Sequence, residues 1–132
     1  MKIVIMTNND LVYEKYKDEY DVELYDNSSI LELLEKVRPL IHKGHELLTH
    51  PLSTSVKPNE TLFKSVVITK TCGKLDQNSL MILENSIQTC VKFSKIKYHL
   101  EYTDQIIKDF KLLDFTSLTS ALDNISVTVG NF

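Results

Sequence analysis

Three of the four histidines, His42, His45 and His50, lie in one stretch that runs into a polar segment, Ser53-Thr54-Ser55-Val56-Lys57-Pro58-Asn59-Glu60. Three chemistries are open to residues of these types. His-x2-His-x4-His could offer three imidazoles to a metal ion. Gly44, however, is a natural helix stop between the first two, so they do not share a helical face, and helix-end and surface histidines are favoured over a metal site. Ser53 or Ser55 could act as a nucleophile with His50 as base, but no nucleophile-elbow GxSxG is present and spacing along one loop does not ensure hydrogen-bond reach. The third is recognition of a small anion. Thr7, Asn8, Asn9, His50, Ser53, Ser55, Lys57 and Asn59, with Thr54, Glu60 and Lys64 nearby, are mostly hydrogen-bond donors with a cation among them, which suits a carboxylate or phosphate. Against this stands the plainer reading that the hydroxyls and amides satisfy the backbone of a long turn. A polar loop of this length is uncommon without a use. Binding is therefore favoured over catalysis, with His50 the candidate acid or base if the protein is an enzyme.

These residues need elements to hold them. Lys2–Met6, rich in β-branched side chains, predicts a buried strand, and Thr7-Asn8-Asn9-Asp10 then supplies capping residues for a helix over Leu11–Asp18. Tyr20–Tyr25 predicts a second strand. Ser29 and Glu32 have the spacing of a capping box ahead of an apolar stripe, Ile30, Leu33, Leu34, Val37 and Ile41, and Gly44 ends that helix near Lys43 despite Pro39 within it. Glu46–Thr49 reads as a brief third strand and Ser65–Lys70 as a fourth, in the middle of the sheet. Asp76–Lys97 predicts a helix capped by Asp76 or Asn78. Helices beginning at Thr103 or Asp104, with Ile106, Ile107, Phe110 and Leu113 apolar, and spanning about Thr116–Leu122, precede a tail, Ile125–Phe132, read as an edge strand or frayed end.

The order predicts a single α/β domain over residues 1–132. It should be a mostly parallel, Rossmann-like sheet of about four strands in the order 2-1-3-4, with helices on both faces and two C-terminal helices. In such a sheet the ligand site lies where the winding reverses, between strands 1 and 3, and Thr7-Asn8-Asn9 and His50-Pro51-Leu52-Ser53 leave those strands.

Composition narrows the partners. Fifteen Lys and Arg against 18 Asp and Glu give a net charge of -3, without the basic excess that phosphate-backbone binding uses, so nucleic acid is not expected. The apolar start of MKIVIMTNND is too short for a signal peptide or a spanning helix, which predicts a cytoplasmic protein without membrane contact. Cys72 and Cys90 match neither a redox pair nor a zinc spacing and are expected to be reduced, Cys90 in the core and Cys72 exposed. Lys92, Lys95 and Lys97 read as a solvated, cationic helix end. No cofactor is implied, and no feature sets an oligomeric state.

The run Gly44–Lys64, GHELLTHPLSTSVKPNETLFK, with LIHKGH ahead of it and TNN after the first strand, resembles the GrdX family, most specifically over Gly44–Thr61. The positions that match are Thr7, Asn8, Asn9, Gly44, His45, Leu47–Leu52, Ser53, Ser55, Lys57, Pro58, Asn59, Glu60 and Thr61. Asp10 stands where the family has proline, Thr54 where it has glycine, and Leu62-Phe63 where it has Pro-Tyr. The resemblance implies a cytoplasmic accessory protein encoded with the selenium-dependent glycine, sarcosine and betaine reductases of amino-acid-fermenting anaerobes. Its expected partners are a reductase component or a small anionic metabolite. It implies no reaction.

Overall fold

Alternation along two short strands decides the architecture. In β1, Ile3–Thr7, Ile3 and Ile5 face one side while Met6, with Val4 packed beside it, faces the other. In β3, Ser65–Thr69, Val67 takes the first side and Val66 and Ile68 the second. Both strands are apolar on both faces, as buried strands are, and helices cover each face. A computed structural model describes residues 2–52, 61–95 and 102–128, the last three of these as backbone.

On one face lie α2, Ile30–His42, and α3, Gln77–Ser94, which pack Leu33, Leu34, Val37, Ile41, Leu83, Ile87 and Cys90 against Met6, Val66 and Ile68. On the other lie α1, Asp10–Tyr16, and α4, Asp104–Thr128, which bring Val12, Leu118 and Leu122 to Ile3, Ile5 and Val67. The α2 stripe is buried as its period requires, and Ser29 and Glu32 form the reciprocal capping box. Asp76 caps α3 by accepting from the Ser79 amide. Lys43 ends α2, and Gly44, at φ +104, turns the chain so closely against Gly73 that a side chain there would strike the Gly73 backbone.

The sheet itself differs from the expectation. It has three strands in the order β2-β1-β3, where β2 is Asp21–Leu24, and it is mixed rather than mostly parallel. β1 runs parallel to β2 but antiparallel to β3, with Thr7 opposite Ser65 and Ile3 opposite Thr69. Glu46–Thr49, expected as a strand between the first and the last, forms only one antiparallel bridge, Leu47 with Ile68, on the far edge of β3. The reason is visible in the connection. Residues 50–64 carry no helical period, and parallel neighbours need a crossover, usually a helix, whereas antiparallel neighbours can be joined by a loop. The backbone bonds from Leu48 N–H to the Val67 carbonyl and from Thr69 N–H to the Glu46 carbonyl complete that edge.

At the C-terminus, the two expected helices are one helix of 25 residues. Its packing phase is set by Leu118 and Leu122, and of the apolar residues that marked its start Ile106 and Leu113 are exposed. Ile125–Thr128, expected to open an edge strand or frayed end, close this helix, and residues 129–132 lie outside the described ones.

Candidate functional site

The turn after β1 is the junction of the molecule. Thr7, Asn8 and Asn9 are buried, although none is apolar, and their side chains reach four separate segments. Asn8 Nδ2 donates to the Ser28 and Leu62 carbonyls, each at 2.8 Å, while Oδ1 accepts from the Lys64 amide at 2.8 Å. Asn9 Oδ1 accepts from Leu11 N–H at 3.1 Å and so caps α1. Its Nδ2 donates to the Lys111 carbonyl at 2.9 Å and to Asp114 Oδ2 at 3.1 Å, on α4.

A relay of hydroxyls runs beside these amides. Ser65 Oγ donates to Asp114 Oδ2 at 2.7 Å. With that proton placed, the 2.7 Å contact between Thr7 Oγ1 and Ser65 Oγ has threonine as donor, and Thr7 Oγ1 in turn accepts from Asn9 N–H at 3.0 Å. Two donors, Asn9 Nδ2 and Ser65 Oγ, thus converge on one carboxylate oxygen where the turn after β1 meets β3 and α4.

Two ionisable groups are buried here. Asp114 is 5% exposed and Lys64 4% exposed. Burial pushes the Asp114 carboxyl above the usual carboxylate range, partly opposed by the bonds from Asn9 and Ser65 and by the Lys64 charge. Burial likewise pulls the Lys64 ammonium below its ordinary value, partly opposed by Asp114 and by Cys90. The Cys90 thiol is itself pushed up to about 11 by burial, so it is not a ready nucleophile. Alternation along β3 places Ser65 towards α4, where Asp114 lies.

The expected convergence of the two polar loops takes a different form. Because β3 separates β1 from the 46–49 edge, the Thr7-Asn8-Asn9 turn meets the far end of the loop, Leu62 to Ser65. His50 is exposed, and its Nδ1 accepts from the Leu52 amide at 3.1 Å, which leaves the proton of the neutral ring on Nε2. Ser53, Ser55, Lys57 and Asn59 lie outside the described residues. His45 Nδ1 donates to the Thr69 carbonyl at 2.8 Å, a bond that pins the end of β3, and His42 is exposed at the end of α2. Among the described residues no three His, Cys, Asp or Glu side chains are grouped to hold a metal ion.

Asp114 and Ser65 did not stand out in the sequence. A signal for Asp114 was present, since it falls at i, i+4 and i+8 with Leu118 and Leu122, where a core-facing apolar residue is expected.

Next to the junction, the start of α2, the segment at Thr61 and Leu62, the end of α3 and Tyr102 enclose a cleft of about 290 Å³. Asn8 ties its two walls together, one through Ser28 and the other through Leu62. Among the described residues no helix is long and apolar enough to cross a membrane.

A family model described as GrdX-like protein matches residues 4–123. No curated protein and no solved structure matches the chain.

Proposed function

The chain belongs to the GrdX-like protein family, and from that premise we propose a non-enzymatic accessory or regulatory protein of a selenium-dependent glycine, sarcosine or betaine reductase system. It binds a small anionic metabolite or a reductase component at the end of the sheet marked by Thr7, Asn8 and Asn9. His50, Ser53, Ser55, Lys57 and Asn59 offer contacts on the loop that leads away from the 46–49 edge. The family supports the system. The binding reading is supported by one observation above the others, the Asn8 clamp, which holds Ser28, Leu62 and Lys64 as a fixed platform instead of aiming a nucleophile at a base. Preorganised hydrogen-bonding platforms lower the ordering cost of binding.

The test is calorimetric titration of the purified protein with acetyl phosphate, with glycine and, separately, with each purified reductase component. Saturable binding of any of these is the expected result, and heat from none of them overturns the reading. The exposed His50, whose Nδ1 accepts from the Leu52 amide, also suits a small enzyme that acts on an acyl or phosphoryl metabolite with His50 as general acid or base. Turnover that disappears in His50→Ala while the far-ultraviolet spectrum is kept would support that second function, and turnover unchanged in the variant would remove it.

A further inference from the structure

We infer that the groove between α1 and α4 is a self-complementary surface on which a second copy of this chain docks about a two-fold axis. The inference goes beyond the proposed function and does not depend on it.

Two helices of one layer form the groove. They run side by side in the same direction, because Asp10 at the start of α1 meets Lys111, while Tyr16 at its end meets Phe115 and Thr119 further along α4. The space between them is about 350 Å³, lined by Asp10, Leu11 and Glu14 on one side and by Lys108 and Lys111 on the other. Charge is thus divided by wall, carboxylates on α1 and ammonium groups on α4. Among the described residues one ion pair bridges the groove, Lys111 Nζ to Asp10 Oδ1 at 2.9 Å. Glu14 is held at 3.2 Å by Lys17 of its own helix, an exposed contact of a kind that contributes little, and Lys108 makes no ion pair among the described residues. One turn beyond Lys108, Leu112 is 56% exposed. Leu11 and Leu112 each follow a member of the Asp10 and Lys111 pair, so the two leucines stand at the same height on their helices.

The charge pattern selects the occupant and its orientation. A surface that docks on a copy of itself must complement its own image under a two-fold rotation. With the axis lying across the helices, α1 would rest on α1 and α4 on α4, so that carboxylates meet carboxylates and lysines meet lysines. With the axis lying along them, α1 of each copy rests on α4 of the other. Lys108 and Lys111 then face the Asp10 and Glu14 carboxylates of the second copy, and this happens twice, once on each side of the axis. Like-charge contacts reject the first arrangement and opposite charges favour the second. In the second arrangement the equal height of the leucines also brings Leu112 over Leu11 of the other copy, which removes an exposed apolar side chain from water. Both copies of α1 start at the same end of such a dimer, so the two Thr7-Asn8-Asn9 turns, which lead into α1, open on one side of it.

The experiment is sedimentation equilibrium of the whole chain at low salt, with charge-reversed variants and their mixture. Wild type is expected to form a dimer and no larger species, with a dissociation constant in the micromolar range. Glu14→Lys and Lys108→Glu each place like charges on both sides of the axis and should each weaken the dimer by at least about tenfold. Both positions are exposed, and circular dichroism reads retention of the fold separately. An equimolar mixture of the two variants is the decisive sample. In a mixed pair both contacts again join opposite charges, so the mixture should dimerise more tightly than either variant alone. Wild type that stays monomeric up to about 500 μM overturns the inference. So does a dimer indifferent to both substitutions, or a mixture that associates no better than its components, since either result places the contact elsewhere on the molecule.

Discussion

Asp114, on α4, ties that helix to two other segments, because the turn after β1, through Asn9, and β3, through Ser65, both bond its Oδ2. Its carboxyl is raised by burial, so the folded state holds the proton more tightly than the unfolded chain does. The sign follows from linkage: its contribution to stability is largest below the ordinary carboxylate value, declines as pH rises from there to the folded value, and is flat above. Asp114→Asn keeps an acceptor for Asn9 and Ser65 but cannot titrate. Denaturant midpoints measured for both proteins between acid and neutral pH are therefore expected to show wild type losing ground relative to Asp114→Asn as pH rises, and a difference independent of pH would reject the buried, raised carboxyl. Asn8 gives a second measurement. Three hydrogen bonds depend on its side chain, and Asn8→Ala leaves the Lys64 amide without its side-chain acceptor, for a cost of roughly 2–4 kcal/mol by chemical denaturation. At this scale the sequence was partly legible. Polar residues after a first strand announce a turn and a helix cap, and Asn9 is that cap. Whether such side chains face a ligand or bind the protein to itself depends on segments as distant as Leu62 and Asp114, which local spacing does not locate.

The helices with strong local signals were legible, and the pairing of strands was not. A capping box, an apolar stripe and a following glycine define α2 without help from the rest of the chain. Strand order instead depends on which neighbour each edge finds, and Glu46–Thr49 and Ser65–Thr69 have similar local patterns whichever lies inside. Only the lack of a helix between them points to an antiparallel return. In α4, apolar residues occupy more than one face, Leu112 and Leu113 being exposed while Leu118 and Leu122 are buried, so the phase could not be read from period alone. Gly44 is the element-scale position most open to test. Its φ of +104 disfavours any side chain, and a Cβ would collide with the Gly73 backbone, whose amide donates to the Gly44 carbonyl at 3.1 Å. Gly44→Ala should therefore destabilise the protein by at least about 1–2 kcal/mol in urea, the usual cost of a left-handed residue with a side chain, before the clash is added. A smaller effect would mean that the α2 end and the Gly73 turn separate freely.

For the whole molecule, the question is whether the two faces of the sheet fold as one. Each has its own apolar cluster, one built on α2 and α3 and the other on α1 and α4. Neither can form alone, because adjacent residues of the same strands serve both: Ile5 and Met6 in β1, Val67 and Ile68 in β3, all four fully buried. Removing one layer of helices would expose alternate side chains along both strands to water, at roughly 1.5–3 kcal/mol for each large apolar group. The Asp114 junction adds a polar tie, since the bonds that hold α4 run through the turn that also holds the start of α2 through Ser28. A single cooperative transition is therefore expected, typical of a domain of this size. The chain has six tyrosines and no tryptophan, so tyrosine fluorescence and far-ultraviolet circular dichroism are the two probes. Their midpoints should coincide. Leu83→Ala on one face and Leu118→Ala on the other should each lower both midpoints together, by about 2–5 kcal/mol for a buried leucine. If Leu118→Ala instead split the curves, with helix lost in two steps, the α1–α4 layer would be an independently unfolding unit, and Asn9 and Asp114 would be a local latch on that layer and not the joint that couples it to the site.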